Sequence, residues 1–389
     1  MKNWPLVQLG NLTDLISSGA TPRGGSKNYT DSGYAMLIRS QNVHMNSLSL
    51  DDVAYISKSI YSKMKRSYVY FGDVLLNITG ASIGRVAPFE INDVFANVNQ
   101  HVCIIRPKKD RLYTRFLSYY LSTPQFQKQI DEIQHGGTRQ ALNFSQIAEF
   151  EIPLPPLAEQ KRIAAILDKA DQLRRQRQAT LDKLDTLLQS TFIDMFGDPL
   201  NPRNQDSFIQ LNDIADIIMG QSPPSSSYNK EGKGFPLLNG PTEFGSVHPV
   251  EQQWTDKPTK FSQTGDILIC VRGATAGKLN LSDKKYCIGR GVAAIRLKDS
   301  YLEFSKFIFM VLDRYYELFQ RQGVGSTFIN ISSKELKQLN IPSIIPSQAQ
   351  IFQSIYDSLT QTKAIHGTSL IKMDNLFHSL QQRAFRGDL

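Results

Sequence analysis

The longest regular pattern of apolar positions lies in the middle of the chain, from 153 to 197. Pro153, Pro155 and Pro156 are tolerated only at the start of a helix, and no proline or glycine follows until Gly197. Between them, apolar residues recur at helical spacing: Ile163, Ile166, Leu167, Ala170, Leu173, Leu181, Leu184, Leu187, Leu188 and Phe192. The pattern predicts a helix of roughly 40 residues, about 60 Å long at ~1.5 Å per residue. A helix of this length with one apolar stripe needs a partner helix.

A second run of this kind ends the chain, from 343 to 389. It also follows prolines, Pro342 and Pro346, and its apolar stripe is weaker, because Gly367 lies inside it at a cost of about 1 kcal/mol relative to alanine. The stripe consists of Ile351, Ile355, Leu359, Leu370, Met373, Leu376, Phe377, Leu380 and Ala384. We therefore expect the two long helices to pair with each other in antiparallel orientation.

The sequence between the long helices repeats the sequence before the first one. Short blocks recur in the same order at a lag of roughly 190 residues, and so many matches in register indicate a tandem duplication. The matched blocks are VQL at 7–9 with IQL at 209–211, GDVLL at 72–76 with GDILI at 265–269, GASIGR at 80–85 with GATAGK at 273–278, and IIR at 104–106 with AIR at 294–296. The strand blocks agree between the copies, whereas the loops differ.

Each copy combines strands with helices in the same order. The glycine-aspartate blocks precede apolar, β-branched strands, and helices are predicted at 12–16, 111–132, 214–219 and 301–321. The predicted fold class is α+β: two tandem, pseudo-symmetric β-rich domains separated by two long helices packed as an antiparallel coiled coil. The predicted segments are a first globular domain at 1–152, a long central helix at 153–200, a second globular domain at 201–342 and a long C-terminal helix at 343–389.

Composition narrows the class of function. The chain has 389 residues and a formal net charge of +8, which favours a polyanionic partner such as nucleic acid. No run of about 18 apolar residues occurs and the N-terminal sequence has no apolar signal core, so we expect a soluble, cytoplasmic chain. The three cysteines, Cys103, Cys270 and Cys287, form no CxxC pair and indicate a reducing compartment.

In these blocks and their order the chain resembles the specificity subunit of type I restriction–modification enzymes over essentially its whole length. The resemblance rests on the two-copy arrangement, on PLPPLAEQKRI at 153–163 leading into a long helix, on SGATP at 18–22 and on RAFRGDL at 383–389. In the second copy QSPP at 221–224 and SIIPSQ at 343–348 depart from the pattern, so the implied docking of a partner applies first to the first copy.

The resemblance implies a function and a set of partners. Each globular domain would be a target recognition domain that reads one half of a bipartite site in double-stranded DNA. The long helices would set the spacing and dock two methyltransferase subunits, to which restriction subunits add. S-adenosylmethionine, ATP and magnesium would then be bound only by partner subunits, and this chain would hold no cofactor.

The residues predicted to contact DNA are polar and basic side chains in the loops that differ between the copies. Lysine and arginine suit phosphates, and arginine, asparagine, glutamine, serine and threonine suit base edges. The first copy supplies Thr21, Arg23, Lys27, Tyr29, Arg39, Gln41, Asn42, Arg85, Arg139 and Gln140, and the second supplies Ser222, Ser225, Tyr228, Lys230, Asn239, Arg272, Lys278, Arg290 and Thr327. Taken singly, each of them could equally be solvated surface.

No catalytic constellation is visible in the sequence. GATAGK at 273–278 lacks the Walker spacing and is followed by leucine, and the six histidines show no metal-ligand spacing. We therefore predict a chain that is not an enzyme and binds no metal. One alternative is an adaptor or scaffold whose coiled coil binds two partner subunits without DNA, and another is a divergent enzyme whose site is assembled only in three dimensions.

Overall fold

The structure is a computed structural model that describes residues 4–135, 141–201, 207–322 and 329–389, without the side chains of 134, 135 and 322. The chain forms two compact units. Unit 1 consists of residues 1–178 and 368–389, and unit 2 consists of residues 179–367. Each unit therefore contains one globular part and half of each long helix, whereas the sequence analysis assigned the helices to separate segments.

In its described residues, unit 1 has short strands and four short α-helices before the first long helix begins. Its strands are β1 (Leu6–Gln8), β2 (Thr13–Ser18), β3 (Ala35–Ile38), β4 (Val43–His44), β5 (Ser47–Leu48), β6 (Ala54–Ile56), β7 (Tyr68–Val69), β8 (Asp73–Asn77), β9 (Val86–Phe89), β10 (Ala96–Val98), β11 (Val102–Pro107) and β12 (Glu151–Pro153). Its helices are α1 (Lys58–Lys63), α2 (Thr114–Leu121), α3 (Pro124–His135) and α4 (Phe144–Glu149), followed by the long helix α5 (Leu157–Phe196).

Unit 2 repeats much of this order of elements. Its strands are β13 (Phe208–Gln210), β14 (Ala215–Met219), β15 (Tyr228–Asn229), β16 (Phe235–Leu238), β17 (Trp254–Thr255), β18 (Ile267–Cys270), β19 (Leu279–Leu281), β20 (Cys287–Ile288), β21 (Val292–Leu297) and β22 (Asn340–Pro342). Its helices are α6 (Leu211–Ile214), α7 (Ser305–Gln322) and α8 (Ser333–Lys337), followed by the second long helix α9 (Pro346–Arg386).

The central sheet and the sheet that pairs the first strand with the last have the same topology in both units. The central sheet has strand order β2-β11-β8-β9 in unit 1 and β14-β21-β18-β19 in unit 2, with antiparallel neighbours throughout. A two-stranded sheet pairs the first strand with the last before the long helix, β1 with β12 and β13 with β22. A further four-stranded sheet includes one parallel pair in each unit, β3 with β10 and β16 with β20. The predicted duplication is confirmed at the level of strand order.

A buried ion pair lies at the same place in both central sheets. The Arg106 guanidinium donates two hydrogen bonds to the Asp73 carboxylate, at 2.7 and 2.8 Å. Arg296 donates two to Asp266, at 3.0 and 2.8 Å. The carboxylate is almost completely buried in each pair, and its hydrogen bond raises the pKa of the arginine above its ordinary value. The aspartates of the two matching GD blocks therefore form the same ion pair in both units.

The long helices run antiparallel to each other within each unit. In unit 1 Arg174 of α5 donates to Asp374 of α9 at 2.6 Å. Arg162, nearer the start of α5, donates to the backbone oxygen of Leu389 at the end of the chain. In unit 2 Asp185 of α5 forms an ion pair with Lys363 of α9. Residue numbers therefore rise along one helix as they fall along the other, and the predicted antiparallel pairing is confirmed.

Only part of the predicted apolar stripe faces the cores. Ile163, Leu167, Leu188 and Phe192 of α5 are buried, as are Phe377 and Ala384 of α9. In the first half of α9 the stripe was assigned one position too early, because Phe352 and Tyr356 are buried whereas Ile351 is 58 % exposed. Isoleucines and aromatic residues occupy neighbouring positions here, at 351–352 and 355–356, so the sequence gives two helical faces of similar hydrophobicity. In the structure the aromatic face packs against the core.

Three helix predictions were wrong. Residues 13–18 and 215–219 form strands, because each pairs along its length with the central strand of its sheet, β11 or β21. The helix predicted at 111–132 is two helices, α2 and α3, because Pro124 cannot continue a helix and Thr123 instead accepts a hydrogen bond from the backbone N–H of Phe126. In unit 2 the corresponding helix α7 is continuous.

The cysteines are buried in the cores. Cys103 lies in β11, Cys270 in β18 and Cys287 in β20, and all three are free thiols. Burial raises the pKa of the Cys103 thiol to about 12, so this thiol is protonated and unreactive at neutral pH.

Candidate nucleic-acid interface

Four loop segments of unit 1 meet at one end of its central sheet, and we call them the first loop cluster: residues 18–22, 38–42, 77–85 and 98–102. Backbone hydrogen bonds hold them together. The Asn99 N–H donates to the Ile38 oxygen at 3.1 Å, and the Ile78 N–H donates to the His101 oxygen at 3.0 Å. The Leu142 N–H then donates to the Ile78 oxygen at 3.0 Å. These three bonds use only main-chain atoms, so they do not depend on which side chains the loops carry.

Unit 2 has a matching second loop cluster, residues 219–224, 238–240, 271–278 and 288–292. The Gly289 N–H donates to the Leu238 oxygen at 2.8 Å, and the Val271 N–H donates to the Gly291 oxygen at 2.8 Å. The Ile331 N–H donates to the Val271 oxygen at 2.9 Å. These are the same three bonds as in unit 1, so residues of the two clusters can be matched position by position.

One glycine in each cluster allows two backbones to come very close. A Cβ atom on Gly19 would lie 1.6 Å from the Val98 oxygen, and one on Gly220 would lie 2.2 Å from the Gly289 oxygen. Any other residue would push the first loop away from the turn before β11 or β21. This close approach explains why glycine stands before Thr21 and Ser222 in both copies.

A chain of polar side chains runs across the first loop cluster. The Thr21 hydroxyl donates to the Gln100 amide oxygen, and the Gln100 amide nitrogen lies 2.8 Å from His101 Nε2. His101 Nδ1 in turn contacts the Thr79 hydroxyl. Thr21 and Gln100 are exposed, so the chain presents uncharged hydrogen-bonding groups to solvent.

Three further predicted residues of unit 1 converge on the carboxylate of Asp52. Arg39 donates to the Asp52 backbone oxygen at 2.6 Å and lies 3.8 Å from its carboxylate, and Gln41 donates to the same carboxylate. Asn42 is completely buried and donates to Asp52 at 2.8 Å and to the Ser49 oxygen at 3.1 Å. Asn42 therefore cannot touch DNA, which corrects its assignment: its amide fixes the loop on which Arg39 and Gln41 are carried.

The second loop cluster has a different surface on the same framework. Arg290 donates to the Ser222 hydroxyl through its backbone nitrogen at 3.1 Å and through Nε at 3.4 Å. Arg272 pairs with Asn330 through a β-bridge, and Lys278 follows at the end of the glycine turn. All three basic side chains are exposed, so this cluster presents three cations where the first presents Thr79, Arg85 and Gln100.

The other predicted residues are distributed around the clusters. Asn239 donates to Gln253 at 3.0 Å, and the hydroxyl of Tyr228 donates to the Pro223 oxygen at 3.2 Å, so these two side chains support the loops. Tyr29 is half-buried beneath the Arg39 guanidinium, 5.8 Å from the ring centroid. Arg85 is half-buried, whereas Arg23, Lys27, Ser225 and Lys230 are exposed. Arg139, Gln140 and Thr327 lie outside the described residues.

Gln100 and His101 were missed by the sequence analysis. They lie in the turn before β11, at the positions of Arg290 and Gly291 in the turn before β21. Because Arg290 was selected for its charge, aligning the two copies through Val102 and Val292 would have identified Gln100 as its counterpart.

The exposed apolar residues of the long helices form a second kind of surface. Leu173, Leu187, Ile351, Ile365, Ile371 and Leu376 are each between 42 and 65 % exposed. In unit 1 a cavity of about 560 Å³ also opens beside the end of α9, and its lining includes Tyr120, Phe126 and Phe385. Large exposed apolar side chains that recur along a helix are typical of protein-binding surfaces.

In the described parts of the chain, no group of three or more histidine, cysteine, aspartate or glutamate side chains could hold a metal ion. No helix in these parts has the length and apolar character needed to span a membrane.

The fold and the two loop clusters define a protein with two units that share one framework and differ in exposed polar side chains. The type I restriction modification DNA specificity domain matches this chain twice, at residues 1–183 and 206–372. The chain belongs to this family.

Related proteins agree with the assignment over most of the chain. A putative type I restriction enzyme MjaX specificity subunit from Methanocaldococcus jannaschii is 29 % identical over 88 % of this chain and 83 % of its own length. The type I restriction enzyme EcoKI specificity subunit from Escherichia coli is 20 % identical over 100 % of this chain and 89 % of its own length. A crystal structure of a type I restriction–modification S subunit from M. genitalium shares the fold, with a TM-score of 0.57 and 17 % identity over 98 % of this chain and 96 % of that one.

Proposed function

We propose that this chain is the non-catalytic DNA-recognition subunit of a type I restriction–modification complex. Each loop cluster reads one half of a bipartite target in double-stranded DNA. The long helices, which both units share, set the spacing of the two half-sites. Methylation and ATP-dependent cleavage are supplied by methyltransferase and restriction subunits, which bind S-adenosylmethionine, ATP and magnesium.

One observation carries this proposal: the two loop clusters are held by the same backbone hydrogen bonds but present different polar side chains. Thr21, Gln100 and Thr79 in unit 1 correspond to Ser222, Arg290 and Arg272 in unit 2. A common framework with different exposed donors and acceptors is what two readers of different sequences require. The net charge of +8 supports binding to a polyanion.

The proposed partner surfaces are on the long helices. Exposed apolar residues occur on these helices in both units, for example Leu173 in unit 1 and Ile351 in unit 2. Burying such side chains against another protein is favourable by about 25 cal/mol per Å² of apolar surface. We therefore place the docking of two methyltransferase subunits along these helices.

Selection from a randomised pool of duplexes tests the proposal. The full chain, co-purified with its methyltransferase partner, is incubated with the pool, and the bound duplexes are sequenced. We expect two fixed half-sites separated by a gap of constant length. Recovery of a single contiguous motif, or of no motif, would contradict the proposal.

The second candidate function is a scaffold that binds two partner subunits through the coiled coil without DNA, and the exposed apolar residues of the long helices favour it. Salt dependence distinguishes the two functions. For DNA binding, the logarithm of the binding constant falls linearly with the logarithm of salt concentration, with a slope of about 0.9 per phosphate contact. The scaffold would be favoured if the chain binds its partner tightly and either does not bind DNA or binds it with an affinity that does not depend on salt.

A further inference from the structure

Gln100 of unit 1 and Arg290 of unit 2 occupy one equivalent position, in the turn that leads into the central strand of each sheet. The equivalence follows from the backbone bonds around them, because Asn99 and Gly289 each donate to the last residue of the neighbouring strand, Ile38 or Leu238. Each side chain is exposed and each contacts a hydroxyl, Thr21 or Ser222, from the loop that follows β2 or β14. The two units therefore hold different side chains in the same setting.

Hydrogen bonds orient the Gln100 carboxamide but occupy only part of its donor and acceptor capacity. Among the described residues, it makes two hydrogen bonds: its oxygen accepts one from the Thr21 hydroxyl, and its nitrogen makes one with His101 Nε2. If the amide is turned over, the same two neighbours take the opposite roles, since a hydroxyl and an imidazole nitrogen can both donate or accept. In either orientation one N–H and one oxygen lone pair are left over. A glutamine with one donor and one acceptor free matches N7 and the N6 amino group of adenine in the major groove.

The Arg290 guanidinium is oriented in a comparable way. Its Nε bonds the Ser222 hydroxyl at 3.4 Å, and its two terminal nitrogens have no hydrogen-bond partner among the residues that the structure describes. Gly291 follows Arg290, whereas His101 follows Gln100, so no side chain from that position restricts the guanidinium. Two parallel N–H donors match the O6 and N7 acceptors of guanine.

We propose that Gln100 and Arg290 are matched specificity-determining residues, and that Gln100 reads an adenine in one half-site and Arg290 a guanine in the other. The proposal rests on the proposed function, because it assigns particular bases to two loop clusters that are taken to read DNA. It also makes the two residues exchangeable, since each already stands beside a hydroxyl that can orient the other side chain.

The test uses the full chain in selection from the randomised duplex pool, with the variants Gln100→Arg and Arg290→Gln. Wild-type chain should select adenine at one position of one half-site and guanine at one position of the other. Gln100→Arg should convert only the adenine to guanine, and Arg290→Gln only the guanine to adenine. Each preference should change by about ten- to a hundredfold, as expected for a bidentate contact worth roughly 1–3 kcal/mol. The unaltered half-site in each selection shows that the variant is folded.

Matched controls are Gln8→Arg in unit 1 and Lys337→Gln in unit 2. Both side chains are exposed and lie at the other end of their central sheets, next to the strands that lead into the long helices. They change charge by the same amount as the test variants and should leave both half-sites unchanged.

Two results would overturn the inference while leaving the proposed function intact. The first is a wild-type bipartite site that neither variant alters. The second is an Arg290→Gln variant that weakens binding to all sequences equally and lowers the salt slope by about one, because this is the behaviour of a phosphate contact. Failure of the wild-type chain to select a bipartite site would instead defeat the proposed function, and the inference with it.

Discussion

The two units differ where a helix of the globular part packs against a long helix. In unit 1 α2 ends at Leu121, and the side chain of Gln381 from α9 donates to the Tyr119 backbone oxygen at 2.8 Å. In unit 2 α7 continues without a break, and Phe192 of α5 stands at the corresponding position, the same number of residues from the start of its helix. Both side chains are almost completely buried.

We attribute this difference to the helix that packs against the long helix at this position: it ends in unit 1 and continues in unit 2. A helix that ends leaves carbonyl groups without an intrahelical partner, and a buried one needs a donor. A continuous helix has no such carbonyl, so a phenylalanine can pack there. Shared features show the opposite behaviour: Arg115 pairs with Asp168 at 2.6 Å, and Lys306 pairs with Asp357 at 3.4 Å, at equivalent positions.

Replacing these two residues should have the largest effect. Phe192→Gln should destabilise unit 2 by about 4 kcal/mol, because it removes a buried ring whose centroid lies 5.3, 5.6 and 5.5 Å from those of Phe196, Phe307 and Phe352 and supplies an amide with no open carbonyl to bind. Gln381→Ala should cost unit 1 only about 1 kcal/mol, because it removes the hydrogen bonds from the Gln381 amide while the Tyr119 oxygen keeps its hydrogen bond from the Ser122 hydroxyl. The free energy of unfolding in urea measures both.

The exposed neighbour Gln382 provides the matched control for that comparison, since Gln382→Ala should change the free energy of unfolding by less than about 0.5 kcal/mol. Equal losses for Phe192→Gln and Gln381→Ala would show that the helix break does not determine which residue is accepted.

The second prediction concerns the ion pair that the units share. Asp73→Ala and Asp266→Ala should each destabilise their unit by about 3 kcal/mol, because each leaves a largely buried arginine without its partner and removes the acceptor for a backbone N–H, that of Tyr70 or Gln263. The two losses should agree within about 1 kcal/mol. The exposed carboxylates of Asp31 and Asp256 give controls, one in each unit. A large difference between the two losses would contradict a common framework.

The smallest predicted effect depends on pH. Asp313 of α7 stands where Ser122 follows the end of α2, and burial raises the pKa of the Asp313 carboxyl above its ordinary value, with Asp185 adding to the rise and Arg314 and Lys363 opposing it. A raised folded-state pKa contributes stability below the unfolded-state pKa, and this contribution is lost as the pH rises through the folded-state pKa.

Charged Asp313 therefore costs stability at neutral pH. Asp313→Asn should stabilise unit 2 by about 1 kcal/mol at about pH 7, and the gain should shrink at acidic pH, because the wild-type carboxyl becomes protonated as the pH falls. Urea unfolding of both chains at neutral and at acidic pH measures this, with the exposed Asp256→Asn as control. A gain that grows as the pH falls would refute the burial argument.

Much of this fold could be predicted from the sequence, because duplication and helical periodicity act over long stretches. The two long helices, their antiparallel pairing and the order of the repeat follow from patterns that extend over tens of residues. The errors occurred where a short segment was decided by its neighbours. Residues 13–18 look like the continuation of a helix, but pairing with β11 makes them a strand. The break at Pro124 was visible in the sequence and was overlooked.

The candidate site was harder to predict than the fold. Loop sequences differ between the copies, so the repeat gives no direct guide to the residues within them. Arg290 could be selected by its charge, whereas uncharged Gln100 is identified only by aligning the two copies or by its backbone setting. Conversely, Asn42 has a side chain that could read a base, but its amide donates to Asp52 and to the Ser49 oxygen inside the fold.

The backbone hydrogen bonds that join the loop segments have a practical consequence for engineering. Because these bonds involve only main-chain atoms, the outward positions around them can be varied together, provided that Gly19 and Gly220 are retained. A combinatorial library at positions 21, 79 and 100, or at 222, 272 and 290, would change the presented chemistry of one unit while its scaffold and the other unit stay constant. Such a collection would be a direct route to chains with new preferences.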